Sequence, residues 1–164
     1  MITLYHGTYL SIPKPLAKVG RKNLDFGPGF YLTQIESQAR DWATIIASRK
    51  GRETRAIVNI YNFDYDNAVE NNVKFKIFNE YNIEWLDYVV NCRKGKDVSS
   101  IFDVVEGGVA NDNVIDTVED YENGIITAEQ ALGQLVYKKV NHQICIRSQG
   151  VIDTCLNFIG AEIL

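Results

Sequence analysis

Short apolar runs alternate along this chain with segments of helical periodicity. The apolar runs predict strands over Ile2–His6, Phe30–Leu32, Thr54–Phe63, Ile101–Val105 and His142–Ile146. Helical spacing predicts helices over Ser37–Ala47, Asn79–Arg93 and Ala110–Tyr121, and a capping box of Thr127 and Gln130 predicts a further helix that ends at Leu135. Because these elements mix without a regular strand–helix–strand repeat, they favour an α+β domain over a doubly wound parallel sheet.

Two stretches show neither the alternation of a strand nor the spacing of a helix. Ser11–Lys22, which contains Pro13 and Pro15, is predicted to be a loop. Asp64–Lys76 is polar and irregular, so it is interpreted either as a mobile flap or as a plain surface connection.

The length and charge of the chain narrow the class of protein. A chain of 164 residues with 46% hydrophobic residues suits one globular domain over residues 1–164. It carries 17 Lys and Arg against 21 Asp and Glu, a net charge of -4, so no overall attraction to nucleic acid or to an anionic membrane is expected. Basic clusters at Arg93–Lys96 and at Lys138 and Lys139 either line a local polynucleotide track or are solvated loop residues.

The N-terminal sequence and the cysteines indicate the compartment. "MITLYHGTYL" lacks a Sec signal, and no window approaches the roughly 18 apolar residues of a membrane span, so we expect a cytoplasmic protein, or export without a Sec signal. Cys92, Cys145 and Cys155 are odd in number and lie in apolar surroundings, which favours buried, reduced thiols. With only His6 and His142 present, and no zinc-ligand spacing, no metal is expected.

Familiar catalytic motifs do not occur. The phosphate-binding loop, the dinucleotide fingerprint and the nucleophile elbow are all absent from the sequence. Asp25, Phe26 and Gly27 spell the kinase "DFG", but only 24 residues precede it, too few for the upstream parts of a kinase. That match is therefore attributed to chance.

Three separated motifs remain. "LYHGT" ends the first predicted strand, "GFYLT" holds the second, and "NHQICI" begins a late one. Taken singly, His6, Tyr31 and Trp42 suit ordinary strand and core positions. Taken together and in this order, they favour a dinucleotide site, and Gly27 and Gly29 let a ligand approach the backbone beside Tyr31.

In order and residue type, these motifs resemble the diphtheria-toxin-like and poly(ADP-ribose) polymerase-like ADP-ribosyltransferases. The signature residues of that superfamily are His, Tyr and usually Glu, on three different strands. "YHGT" resembles the first motif, "GPGFYLTQIESQARDWA" the tyrosine strand with its following helix, and "HQICIRSQGVIDTCL" the last strand, with Gln143 in the acidic position.

The likeness extends along nearly the whole chain to a family of small bacterial proteins known as a domain of unknown function, DUF3990, which is grouped with those transferases. The shared motifs are "LYHGT", "DFGPGFYLT", "ARDWA", "WLDYVVNCR", "VVEGGVAND" and "NHQICI". The resemblance implies a single-domain, split β-sheet core with flanking helices, and NAD as the substrate.

The resemblance also implies roles for individual residues. His6 would bond the adenosine ribose, and the backbone of Gly7 would hold the nicotinamide amide. Tyr31 would stack on the nicotinamide ring, and Trp42 would complete the aromatic sandwich. A site of this kind holds the dinucleotide rigidly while the nicotinamide–ribose bond breaks and positive charge develops on the sugar.

Two departures from the superfamily pattern concern the amide and the charge. Ala39 replaces a serine that often holds the carboxamide, so nicotinamide is expected to be held either more loosely or by Thr8 or Thr33. Gln143 keeps a hydrogen bond to the ribose but lacks the charge and the general-base capacity of a glutamate. The best candidate for a compensating carboxylate is Asp112 in "GGVANDNV", and the runners-up are Asp25 and Glu106. Asp112 equally suits a helix cap.

Three functions are therefore weighed. The first is a mono-ADP-ribosyltransferase that modifies a protein or nucleic-acid acceptor, as the toxin of a toxin–antitoxin or phage-defence pair with a small neutralising antitoxin. The second is a catalytically weak NAD-binding module, which the glutamine favours. The third is an NAD glycohydrolase, in which water is the acceptor. The intact His6 and Tyr31 motifs favour the first.

Overall fold

The structure is a computed structural model. It describes residues 1–20, 22–96, 101–110, 112–135 and 141–164, and the side chains of residues 112 and 113 lie outside that description. The strands are β1 (Ile2–Thr8), β2 (Phe30–Leu32), β3 (Ile57–Phe63), β4 (Phe75–Ile77), β5 (Val104–Gly107), β6 (Gln143–Ile146) and β7 (Leu156–Ile163). The helices are α1 (Glu36–Lys50), α2 (Tyr65–Glu70), α3 (Ile83–Arg93), α4 (Asp112–Glu122), α5 (Ala128–Leu135) and α6 (Gln149–Cys155).

The strands form two sheets. The first has the order β1-β3-β7 and is antiparallel throughout. The second has the order β2-β6-β5-β4; its strands are antiparallel except for the parallel pair of β4 and β5, which α3 connects. The predicted α+β class is confirmed, whereas the specific ADP-ribosyltransferase-like core stays a prediction.

A single bridge joins the two sheets within the described part of the chain. Tyr5 of β1 and Thr33, just after β2, exchange both backbone hydrogen bonds, at 2.8 and 2.9 Å. Paired side chains point to the same side of a sheet, and side chains two residues apart do so as well. Tyr5, Thr33 and Tyr31 therefore share one side, which we call the front face, with Cys145 and Gln143 of β6. The opposite side is the back face.

Each face is covered by its own helices. On the front, α1 packs alanines against β1 and β3, and α3 to α5 cover the second sheet around the buried Trp85. On the back, α2 and α6 pack against apolar side chains of both sheets, among them Leu4, Phe30 and Ile146. No helix in the described residues is long and apolar enough to cross a membrane.

Most predicted elements occur with shifted ends. The capping box of α5 is confirmed, since Gln130 N–H donates to Thr127 Oγ1 and Thr127 N–H to Gln130 Oε1. The helix predicted from Asn79 begins at Ile83, because Asn82 caps it by accepting from Trp85 N–H at 2.9 Å. The three cysteines are buried and free, as predicted, and burial raises the pKa of Cys145 to about 12.

The segment Asp64–Lys76 was interpreted wrongly. It holds the short helix α2, capped by the Asp64 carboxylate, and most of strand β4. Ala68 of α2 is buried on the back face, so the segment packs against the core through regular elements and is neither a flap nor a plain connection. The sequence analysis also assigned no elements at α6 and β7.

Candidate functional site

The candidate site begins where β1 and β2 separate. In the register set by Tyr5 and Thr33, the next hydrogen-bonded pair would be Gly7 and Tyr31. No bridge joins these two residues, and the carbonyl oxygen of Tyr31 instead lies 2.7 Å from Nδ1 of His6. The imidazole thus takes the acceptor that a continued ladder would have used, and the strands part at this point.

The protonation of His6 follows from its partner. A carbonyl oxygen only accepts, so Nδ1 must carry the proton that it donates. Burial lowers the pKa of His6, partly offset by the bond to Tyr31, and this favours the neutral ring. The ring also packs on Phe30, with centroids 4.6 Å apart. The neutral imidazole therefore keeps a lone pair on Nε2 that can accept a hydroxyl.

The separation leaves the two backbone polar groups of Gly7 on the edge of β1 that faces the gap, although the residue itself is buried. The N–H and C=O of Gly7 point toward β2, as those of Tyr5 do, because the two residues are two apart on one strand. In the described part of the chain, neither the N–H nor the C=O of Gly7 has a hydrogen-bond partner on the β2 side. One donor and one acceptor side by side match the two functions of a carboxamide.

Helix α1 closes the front of this edge. A Cβ on Gly7 would collide with the carbonyl oxygen of Ala39 and lie 2.8 Å from the backbone nitrogen of Ala43. The close packing of α1 therefore already requires glycine at position 7, whether or not a ligand binds. Trp42 lies about 60° from Ala39 around the helix axis and keeps 45% of its surface exposed.

Tyr31 lies on β2, across the gap from Gly7. Its half-buried ring lies on the front face, where its hydroxyl donates to Gly27 O at 2.6 Å and accepts from Phe26 N–H at 3.1 Å. Burial raises the pKa of Tyr31, so the hydroxyl stays protonated. Gly29 is also required by packing, because a Cβ there would collide with Sγ of Cys145. These bonds fix the loop that precedes β2.

Gln143, in the acidic position of the resemblance, is buried and has a carboxylate beside it. Its Nε2 lies 3.2 Å from Oδ2 of Asp25 and 3.5 Å from the carbonyl oxygen of Gly108. Asp25 also receives two bonds from the guanidinium of Arg93, at 2.9 and 3.1 Å, and one from Ala110 N–H at 2.9 Å. Of the runner-up carboxylates, the one that meets Gln143 is Asp25.

Glu106 lies on the other side of the sheet. Gly107 is the register partner of Gln143, so the preceding residue points to the back face. There Glu106 bonds Nε2 of His142 at 2.9 Å and the hydroxyl of Tyr65 at 3.1 Å. Burial acts to raise the pKa of Glu106, but the bonds from His142 and Tyr65 outweigh it and lower the pKa below its usual value. Glu106 is therefore separated from the Gln143 amide by the sheet.

The remaining predicted residues fall in different places. Thr8 and Thr33 are buried, and Thr33 Oγ1 accepts from Ile35 N–H at the entry to α1. Asp112 is the first residue of α4, but its side chain lies outside the described residues, as do Lys138 and Lys139. In the cluster Arg93–Lys96, Arg93 is the last residue of α3 and forms an ion pair with Asp25, so it is not a solvated loop residue.

Sequence reasoning missed the residues that hold this site together. Arg93 and Ala110 lie 68 and 85 positions from Asp25, so no local pattern relates them. Gln38 of α1 bonds both backbone groups of His142, accepting from its N–H and donating to its carbonyl, and so ties α1 to the start of β6. The only sequence signal for Gln38 was its place within a predicted helix.

The chain was compared with known proteins. Residues 2–158 match the family model DUF3990, described as a protein of unknown function. The chain belongs to the DUF3990 family. No curated protein and no solved structure matches it. Membership of this family agrees with the sequence analysis, and the wider resemblance to ADP-ribosyltransferases stays a prediction.

Proposed function

We propose that this protein binds NAD where β1 and β2 separate, cleaves the nicotinamide–ribose bond and transfers ADP-ribose to a macromolecular acceptor. The observation that carries the proposal is the edge of β1 at Gly7, where one donor and one acceptor face the gap; helix α1, which carries Trp42, packs against this edge, and Tyr31 lies on β2 across the gap. In this arrangement the nicotinamide carboxamide bonds Gly7, and its ring lies between the two aromatic side chains.

The histidine next to this edge supports the adenosine half of the same ligand. A neutral His6 that donates from Nδ1 to Tyr31 presents only a lone pair at Nε2. A ribose hydroxyl is the natural donor to that lone pair. The ring of His6 lies on the back face beside Phe30, and the Gly7 backbone lies in the gap itself. A ligand that passes between β1 and β2 would meet both residues, which favours a dinucleotide such as NAD over nicotinamide alone.

A specific observation favours a second candidate, an NAD-binding module without catalysis. Gln143 is an amide, so it brings no charge to stabilise the developing cation, a loss on the order of a few kcal/mol in the barrier. The nearby Asp25 carboxylate already accepts from Arg93, Ala110 and Gln143. The toxin role and its neutralising partner stay predictions from the resemblance.

The test is incubation of the purified protein with NAD labelled in its adenosine portion, in a cell lysate, followed by separation of protein, RNA, DNA and free nucleotide. Label on one macromolecule supports transfer, provided that the label is lost in the variant Trp42→Ala and kept in the exposed control variant Asp116→Asn. Loss of NAD without label indicates hydrolysis by water, and intact NAD with measurable binding indicates the module. Absence of NAD binding contradicts all three.

A further inference from the structure

The orientation of the Gln143 amide follows from its two neighbours. Asp25 Oδ2 and Gly108 O are both acceptors, so the end of the amide that faces them must be the NH₂ group. The carbonyl oxygen Oε1 is then the end turned away from Asp25. Among the described residues, no donor is assigned to it. Within the part of the chain that the structure describes, Oε1 is therefore an acceptor without a donor, in an orientation that the bond from Nε2 to Asp25 sets.

Asp25 is itself held on every side. Arg93 donates through Nε and Nη2 to Oδ1, and Ala110 N–H donates to Oδ2, next to the Gln143 bond. The carboxylate is buried, and so is the amide that it contacts. Rotation of Asp25 would break an ion pair and a backbone bond together, so the carboxylate is a rigid reference for the glutamine.

We propose that Asp25 is a positioning residue, which sets the amide of Gln143 so that Oε1 accepts a hydroxyl of the nicotinamide ribose. This inference rests on the proposed function. It explains why glutamine rather than glutamate suits position 143. A glutamate there would set a second carboxylate against Asp25 and against Gly108 O, which would drive one of the two acids to take up a proton. The pair of Asp25 and Gln143 carries one negative charge and one matched hydrogen bond.

An exchange of the two functional groups tests the proposal. Asp25→Asn and Gln143→Glu each break the match, so each single variant loses about tenfold or more in nicotinamide release or in NAD affinity. In the double variant, the new amide at position 25 donates to the new carboxylate at position 143, so part of the function returns and the double variant exceeds the worse single variant. Full recovery is not expected, because Ala110 N–H then faces a second donor and Gly108 O faces the carboxylate. The matched controls are Asp116→Asn and Gln134→Glu, which make the same chemical changes at exposed positions.

Gln143→Glu also has a pH signature. Its function rises as the pH falls, because protonation of the new carboxyl group restores a donor toward Asp25. If the single variants behave as wild type, or if a folded double variant is no better than the worse single variant, the role of Asp25 is overturned. Turnover of NAD by the wild type would still support the proposed function in that case. Wild-type protein that neither binds nor consumes NAD contradicts the proposed function itself.

A measurement on the wild-type protein tests the pairing of Gln143 with Asp25 even if the variants fail to fold. If Gln143 donates to Asp25 and Gly108, its side-chain NH₂ protons exchange with solvent at least about tenfold more slowly than those of the exposed Gln34. Equal exchange rates overturn the pairing without any reference to NAD.

Discussion

His6 donates from Nδ1 to the carbonyl oxygen of Tyr31 at 2.7 Å, at the first position where β1 and β2 fail to pair. A continued ladder would have used that oxygen to bind Gly7 N–H. The side chain that the resemblance assigns to NAD therefore also keeps the strands apart. His6 thus has a structural role, the bond to Tyr31, and a proposed role in binding NAD, and the variants below distinguish the two.

Substitution of His6 separates its two hydrogen bonds. We expect His6→Ala to lower NAD affinity by about 10- to 100-fold, since it loses the bond to the ribose and also the ring that fills the gap. His6→Asn keeps a donor for Tyr31 and should retain more of the fold's stability. Isothermal titration with NAD and thermal unfolding of both variants check this. Equal NAD affinity of wild type and His6→Ala would contradict the assignment.

The pH dependence of stability depends on the same ring. Burial lowers the pKa of His6 below its usual 6.5, so the unfolded chain takes up a proton more readily than the folded one. The contribution of His6 is therefore complete above pH 6.5 and is lost as the pH falls below 6.5 through the folded-state pKa. The measurement is the free energy of unfolding of wild type minus that of His6→Asn, from about pH 8 to about pH 5. A difference that does not change with pH would refute the prediction.

Gly7→Ala should destabilise the fold by several kcal/mol, on the order of an overpacked core. The new methyl group would collide with Ala39 O, which is backbone within α1 and has little room to move. Gly133 in α5 is the matched control, because a Cβ there meets nothing within 4 Å. Gly133→Ala should stabilise the protein by about 0.5–1 kcal/mol. Urea unfolding of both variants compares them, and equal effects would show that α1 is misplaced.

The two tryptophans should respond in opposite ways. Trp42 is 45% exposed, so Trp42→Ala should change the free energy of unfolding by less than about 1 kcal/mol while NAD affinity falls about tenfold or more. Trp85 is fully buried and donates to Gly108 O, so Trp85→Ala should cost about 3–5 kcal/mol of stability. Trp42→Phe, which keeps an aromatic ring, should retain most of the affinity. Unchanged affinity in Trp42→Ala would remove Trp42 from the site.

How far the sequence predicted this protein depended on the range of the interaction. The period of apolar residues located β2 with correct ends, and the capping box of Thr127 and Gln130 located α5. The interpretation of Asp64–Lys76 was wrong because its short elements bury only a few residues, such as Ala68, and give no clear period of apolar residues. Local patterns therefore located elements that have a distinct apolar run or a capping pair, even when short as β2 is, and missed others, including the eight-residue strand β7.

The candidate site shows the same limit. The motifs of His6 and Tyr31 pointed to neighbouring strands, and the structure joins them by a bond from the ring to the backbone. Asp25 and Gln143 lie 118 positions apart, and sequence reasoning ranked Asp112 above Asp25 as the compensating acid. A contact made by tertiary packing leaves no spacing that a single sequence can reveal. The packing reason for Gly7 was hidden in the same way.

The most direct test of the central claim is a titration of the protein, labelled with ¹⁵N at its 12 glycines, with NAD and with nicotinamide, followed by NMR. The account predicts that the assigned amide signal of Gly7 shifts with both ligands, because the carboxamide oxygen accepts from that N–H. It also predicts that Trp42→Ala weakens the shift. Binding of NAD that leaves the Gly7 signal unmoved, or no shift of any glycine at saturating NAD, would contradict it.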